Sequence, residues 1–302
     1  MSTAAIDARG AGSRMRQGQI LLVITLLGLA VLGWIVTDDR MRGMDAGPGT
    51  DPGTLGFYVS AWVVMMAAMM FPSIAPMVLA YARVSPRLHK ARAPTGATPL
   101  FVAGYIVSWT AFGLCAYGLF AGVRWLAGEE LAWDRAGPYV AGGVIVLAAL
   151  YQLTPAKDAC LRRCRAPFAF LTDEWRAGRR GALVMGMRHG AWCVGCCWGL
   201  MAALFAVGVM SVGWMVLVAT LIAIEKLTPW PRLANYAIAG LLVALGLGVA
   251  FSPRHVPGLT LPDSPAAAGA MDGMKGMEAE PGMRSPREAP AMPGMNTRPA
   301  DR

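Results

Sequence analysis

The sequence predicts an all-α, polytopic membrane protein, and two observations lead to that fold class. The 302 residues are 56% hydrophobic and only 15% charged, which is too apolar for an ordinary water-soluble domain. Apolar runs of about 20 residues, enough to cross roughly 30 Å of hydrocarbon, recur along the chain. Seven such runs predict seven transmembrane helices, at 19–37, 56–82, 99–123, 137–155, 191–210, 212–230 and 233–251.

The first apolar run predicts a retained N-terminal membrane anchor. It extends from Ile20 to Val36 and follows three arginines near the start of the chain. A secretory signal peptide has a shorter apolar core followed by a small-residue cleavage site, and neither feature is present here. We therefore expect an N-terminal segment at 1–18 and a helical membrane domain at 19–251.

The distribution of basic residues predicts the orientation of the helices. Lysines and arginines concentrate after helix two, between helices four and five, and between helices six and seven. The opposite loops hold few, so the positive-inside rule puts the N-terminus in the cytoplasm and, after seven crossings, the C-terminus outside. The net charge of +9 then indicates contact with membrane lipid and not nucleic acid binding, and we expect the bacterial inner membrane.

The C-terminal segment 252–302 is predicted to be a disordered tail outside the membrane, because it is rich in Pro, Gly, Ala and Met and cannot bury a core. Thioether sulfur is a soft, uncharged ligand that favours Cu(I) or Ag(I). Close MxxM-type spacing lets a flexible chain place several sulfurs around one ion. The tail methionines are Met271, Met274, Met277, Met283, Met292 and Met295. Met41 and Met44 repeat the spacing in the outer loop between helices one and two.

Helix two contains a cluster of methionines in "WVVMMAAMMFPSIAPM". Met66, Met70 and Met77 fall at i, i+4 and i+11, broadly on one helical face, and Met65 and Met69 lie beside them. Two explanations remain open. The methionines form a packing seam around a helix bent by Pro72 and Pro76, or they form a thioether ladder for a soft cation.

Five of the six cysteines fall into two groups around the basic segment between helices four and five. Cys160 and Cys164 are four residues apart, and Cys193 precedes Cys196 and Cys197 by three and four, so each group stacks on one face of a helix. We expect both groups in the inner loop or at its membrane ends, where they converge. Reduced cytoplasmic thiols favour metal ligation over structural disulfides. Basic neighbours favour the thiolate form, namely Arg162, Arg163, Arg165 and Arg188.

Other roles for the cysteines stay open. Four thiolates also suit zinc, although CxxxC with CxxCC is not a standard zinc-ribbon spacing. Cys193 and Cys196 form a CxxC pair that favours a redox function, with Cys160 and Cys164 as a resolving pair. Buried cysteine is also an ordinary small packing residue, which explains Cys115 in the middle of helix three.

Glu225 is a carboxylate within the otherwise apolar sixth helix, and ionisable groups at that depth are paired or functional. It takes up cation charge or exchanges a proton, or it pairs with a basic residue such as Lys157. Adjacent residues on a helix point about 100° apart, so a pair with Lys226 is not expected. Motifs for nucleotide binding, for HExxH zinc and for CxxCH haem are missing, so no enzyme class is indicated.

The stretches "MMAAMMFPS", "KDACLRRCR", "GCCWGLMAALFAVGVMSVGWM" and "IEKLTP" resemble an uncharacterised bacterial family of predicted metal-binding integral membrane proteins. The resemblance covers roughly residues 57 to 232 and implies metal handling in a membrane, without a known reaction. The positions it marks are Met66, Met69, Met70, Cys160, Cys164, Cys196, Cys197, Met201 and Glu225. The methionine tail is not part of that pattern, so copper follows from ligand chemistry alone.

These observations predict a Cu(I)-binding inner-membrane protein for copper handling, either by transport or by delivery to a membrane cuproenzyme, with a periplasmic copper protein as a further expected partner. Methionines would capture the ion outside and cysteines would hold it inside. Zinc is the weaker alternative as the bound metal. A membrane thiol–disulfide oxidoreductase and an assembly subunit without a ligand are the two alternative functions.

Overall fold

The computed structural model describes residues 3–45, 47–88, 96–127, 130–261, 264–265 and 267–269. These residues contain no β-strand, which confirms the all-α class. The described part of the chain folds into nine α-helices: α1 (Thr3–Met41), α2 (Leu55–Leu88), α3 (Ala97–Ala127), α4 (Gly137–Gln152), α5 (Pro155–Arg165), α6 (Pro167–Asp173), α7 (Gly178–Val207), α8 (Val212–Leu227) and α9 (Pro231–Phe251).

Most of the long helices have the length and composition of membrane spans. Five of them qualify, in α1, α2, α3, α7 and α9, and the bent pair α4 and α5 qualifies as a sixth when counted as one span. These helices indicate a membrane protein. Helix α8 has 16 residues, fewer than the roughly 20 that a span needs. The seven-span topology therefore stays a prediction.

The fourth predicted helix ends earlier than expected because the chain bends by 66° between α4 and α5. Pro155 is the first residue of α5 and has no backbone N–H to continue the helix before it. The Thr154 side chain accepts a hydrogen bond from the Lys157 backbone N–H and caps the new helix. The break turns α5, which carries Cys160 and Cys164, across the end of the bundle onto α7.

Helix α7 begins at Gly178, thirteen residues before the predicted start at 191. The hydropathy pattern does not predict the first turns of α7, because these turns are basic, although they pack against α3. The expectation of a loop between helices four and five is therefore wrong, because α5, α6 and the first half of α7 occupy this segment. Cys193, Cys196 and Cys197 lie in the middle of a 30-residue helix and not at its end.

Helices α3 and α7 approach so closely that their backbones touch. A side chain at Gly186 would collide with the Phe101 carbonyl, and one at Gly104 would collide with the Leu183 carbonyl. Gly190 lies against the Tyr105 carbonyl in the same way. Small residues at such spacing are the usual means of close helix packing in membranes. This contact fixes the position of α3 along the axis of α7, relative to the cysteines of α7.

Three segments meet at the end of the bundle opposite α5, and we call this region the loop rim: residues 42–45 with 47–53, 208–211 and 252–260. Gly208 lies against Asp45 and Gly47. The Thr260 hydroxyl donates to the Asp45 carboxylate at 3.0 Å, and the Trp214 indole N–H donates to the Gly258 carbonyl at 3.1 Å. The first residues of the predicted tail thus pack onto the bundle. The six tail methionines, Met271 to Met295, lie outside the described residues.

Candidate metal centre

Three cysteines of α7 bring their sulfur atoms together inside the bundle. The Sγ atoms of Cys193, Cys196 and Cys197 all lie within 4.8 Å of one another. Cys196 Sγ is 3.4 Å from Cys197 Sγ and 3.2 Å from the Cys193 carbonyl. All three side chains are 0% exposed. The i, i+3 and i+4 spacing on one helix produces this cluster, as the sequence predicts.

The second cysteine group approaches the same cluster from α5. Cys164 Sγ lies 3.7 Å from Cys196 Sγ, so the predicted convergence of the two groups is present at this pair. Cys160 Sγ lies against Gly195, where an added Cβ would be only 2.8 Å away. Cys160 and Cys164 are both partly exposed. Helix α5 therefore carries thiols from the protein surface to the buried cluster.

The cluster has the dimensions of a site for one soft metal ion. Three sulfurs bound to one ion at about 2.3 Å lie about 4.0 Å apart, which falls within the observed range of separations. Thiolates select Cu(I) and also bind zinc. Among the described residues, this is the one group of three or more His, Cys, Asp or Glu side chains with ligand atoms so close together.

Two residues that the sequence did not indicate contact the sulfur of Cys193. The Tyr105 hydroxyl lies 3.0 Å from it, and the Lys226 ammonium lies 2.9 Å from it. The ammonium also lies 3.3 Å from the Ser73 hydroxyl of α2. The only signal for Lys226 in the sequence is a lysine in an apolar helix. Tyr105 gives no signal, because its role depends on the close α3–α7 packing.

The arginines expected to supply positive charge to the thiols have other partners. Arg162 pairs with Asp158, Arg163 and Arg188 pair with Glu174, and Arg163 also stacks on the Trp192 ring at 4.6 Å. Arg165 donates to the backbone carbonyls of Glu225 and Thr228. Lys226, and none of these arginines, supplies the positive charge in contact with a sulfur of the cluster.

Glu225 forms a buried ion pair, which is one of the two roles left open by the sequence. Its carboxylate accepts from Lys157 Nζ at 2.7 Å and from Gln152 Nε2 at 2.8 Å. Lys157 and Glu225 are 1% and 0% exposed. The pair joins α5 to α8, while the next residue, Lys226, points to Cys193. Consecutive residues of α8 thus hold both cysteine-bearing helices, α5 and α7.

Three methionines, Met66 and Met70 of α2 and Met201 of α7, lie on the side of the cluster that faces the loop rim. Met66, Met70 and Met77 share one face of α2 with Ser73, which contacts Lys226. On α7, Met201 is one turn beyond Cys197 towards the rim. All of these methionines are buried, as is Met69. Helix α2 starts at the rim, so its thioethers at 66 and 70 lie between the rim and the level of the thiols.

Three other sulfur residues, Met41, Met44 and Cys115, lie away from the cluster. Met41 and Met44 are at the loop rim and are 5% and 6% exposed, so they are buried there and not free in a loop. Cys115 is exposed, which contradicts the expectation of a buried packing residue: its helical face is turned to the outside of the bundle. Cys115 therefore offers a matched control for the clustered cysteines.

A family model provides independent evidence on function. The PpoB2 model, described as a copper chaperone, matches residues 59–249. This range includes the five cysteines of α5 and α7, the α2 methionines, Met201 and Glu225, and it leaves out Met41, Met44 and the tail. Comparisons with curated proteins and with solved structures find no match. Because the match spans more than half of the 302 residues, the chain belongs to the PpoB2 copper chaperone family.

Proposed function

We propose that this protein carries Cu(I) as its cargo in the bacterial inner membrane and holds the ion on the clustered cysteines. The observation that supports this most strongly is the set of three buried sulfurs within 4.8 Å of one another, with Cys164 Sγ 3.7 Å from one of them. Thiolates at these separations suit a soft monovalent ion with two or three ligands. The family match adds copper from a separate line of evidence.

The surroundings of the cluster favour storage and handover of copper over catalysis. Cys193, Cys196 and Cys197 are fully buried, so a bound ion is shielded from water. Cys164 and Cys160 are partly exposed on α5 and offer a route by which the ion is exchanged one sulfur at a time. Handover to a membrane cuproenzyme or to a second copper protein would then occur at α5.

The buried methionines extend this route towards the loop rim. Met66, Met70 and Met201 lie between the rim and the cysteines, and thioethers bind Cu(I) without needing to lose a proton. With the N-terminus in the cytoplasm, the rim and its Met41 and Met44 face outwards. Copper would be captured there by methionines, including those of the tail, and would pass to the thiols.

The same geometry disfavours the thiol–disulfide oxidoreductase. Thiol–disulfide exchange requires a partner sulfur to reach the attacked one in line, and access limits its rate. Cys193 and Cys196 are 0% exposed, so a partner protein reaches neither without opening the bundle. A single metal ion needs a much smaller opening.

Elemental analysis of the full-length protein tests the proposal. The protein is purified in detergent under reducing conditions from cells supplied with Cu, Zn and Fe. We expect about one copper ion per chain, lost in the double variant Cys196→Ser/Cys197→Ser and retained in Cys115→Ser. Truncation after Phe251 separates copper held by the tail from copper held by the cluster. Protein that is free of copper, or truncated protein that keeps its copper in the double variant, contradicts the proposal.

A further inference from the structure

Lys226, a half-buried lysine beside the cysteine cluster, has no role in holding the ion, because an ammonium group has no lone pair to offer a metal. Its Nζ atom nevertheless lies 2.9 Å from Cys193 Sγ and 3.3 Å from Ser73 Oγ. A positive charge within 3 Å of a metal ligand repels any cation that the ligand binds. The same charge favours the thiolate form of Cys193 for any metal, so the effect that differs between metals is the repulsion of the bound cation.

We propose that Lys226 determines the metal specificity of the cluster by selecting a monovalent ion over a divalent one. The proposal rests on the copper function proposed above and adds to it the origin of discrimination against zinc. The repulsion that an ion experiences from a fixed charge is proportional to the charge of the ion. Zn(II) at the cluster is therefore repelled by Lys226 twice as strongly as Cu(I) at the same position.

The charge balance at the cluster has the same consequence when both ions use the same three thiolates. The complex of Cu(I) with Cys193, Cys196 and Cys197 carries a charge of −2, and the complex of Zn(II) carries −1. The Lys226 ammonium compensates this negative charge in proportion to its size, so it stabilises the copper complex more than the zinc complex.

Other charged groups near the cluster do not supply this compensation. Lys157 and Glu225 neutralise each other at 2.7 Å, and Arg165 is held by the carbonyls of Glu225 and Thr228. Arg163 lies at the surface, against Trp192 and Glu174. Lys226, in contrast, is directed at the sulfur by its hydrogen bonds. Its position on α8, next to the anchored Glu225, keeps it there.

The test compares dissociation constants for Cu(I) and Zn(II) in the full-length protein in detergent, each measured by competition with a coloured chelator under reducing conditions. Lys226→Met keeps most of the apolar stem and removes the charge. We expect it to shift the ratio of the two affinities towards zinc by at least about tenfold, from the different repulsion of the two ions. If the wild type shows no measurable zinc binding, we expect zinc binding to appear in the variant.

Two matched variants separate charge from structure. Lys226→Arg keeps the charge. Tyr105→Phe removes another contact of the Cys193 sulfur without changing charge. Both variants should keep the affinity ratio of the wild type within about threefold. Equal weakening of copper and zinc in Lys226→Met, or no change in either, overturns the inference. If Lys226→Met does not fold, Lys226→Gln gives the same comparison. A wild type that binds no Cu(I) refutes the proposed function instead.

Discussion

The close packing of α3 on α7 leads to a sharp prediction for Gly190→Ala. An added Cβ at this position would be 2.7 Å from Ser108 Cβ and 2.9 Å from the Tyr105 carbonyl oxygen. Ordinary contact of a Cβ begins at 3.4 Å, so the closer atom is 0.7 Å too near. Both neighbours belong to α3, and the carbonyl is backbone, so the helices themselves must move apart.

The expected cost follows from this overlap. Overpacking by one methyl group in a well-packed interior costs typically about 1–3 kcal/mol. Alanine also has a higher helix propensity than glycine, by about 0.5–1 kcal/mol. The matched control is Gly118→Ala on α3, because nothing lies within 4 Å of its added Cβ. The propensity gain is the same in both variants, so their difference in unfolding free energy isolates the packing cost, and we expect about 1–3 kcal/mol.

The assay is reversible unfolding of the detergent-solubilised protein, followed by circular dichroism as denaturing detergent increases. Gly190→Ala should unfold at a lower denaturant fraction than the wild type, and Gly118→Ala should unfold at the same or a higher one. If both alanine variants unfold together with the wild type, α3 and α7 do not touch at Gly190. The close approach that places Tyr105 beside Cys193 would then be refuted.

Three further outcomes follow from the same structure. Lys157→Met should lower the unfolding free energy by about 3–5 kcal/mol, because it leaves Glu225 buried and unpaired. The double variant Lys157→Met/Glu225→Leu should recover most of this loss. Additive losses in the double variant would contradict an ion pair between the two residues. In variants that each retain a single cysteine, a water-soluble maleimide should label Cys164 faster than Cys196. Equal labelling rates would contradict the burial of the cluster. Bound Cu(I) should slow labelling of Cys164, while labelling of Cys115 stays unchanged; protection of Cys115 as well would place copper elsewhere.

The sequence was sufficient for the all-α class, for most of the long apolar helices and for the shared helical face of the three α7 cysteines. Apolar runs of span length mark the long helices, because hydrocarbon requires about 20 apolar residues whatever the fold. Cys193, Cys196 and Cys197 share a helical face by spacing alone. Their convergence with Cys164 was also predictable, because the two groups flank one short segment.

The parts that could not be predicted depend on contacts between helices. The early residues of α7 contain arginines and glycines, and their helical state depends on the backbone of α3, which a hydropathy pattern does not include. The sequence left two roles open for Glu225, an ion pair or a function in cation or proton binding. The ion pair is visible only in the structure, because the bend at Pro155 brings Lys157 to α8. The contacts of Tyr105 and Lys226 with Cys193 join residues 88 and 33 positions apart, and no local spacing encodes them.

X-ray absorption at the copper edge of the Cu(I)-loaded full-length protein gives the most direct test of copper on the clustered thiols. The structure predicts copper surrounded by two or three sulfur atoms at about 2.3 Å, with no nitrogen or oxygen ligand, and loss of this signal in Cys196→Ser/Cys197→Ser. Copper bound through nitrogen or oxygen, or an unchanged sulfur signal in the double variant, would contradict a copper site at these cysteines.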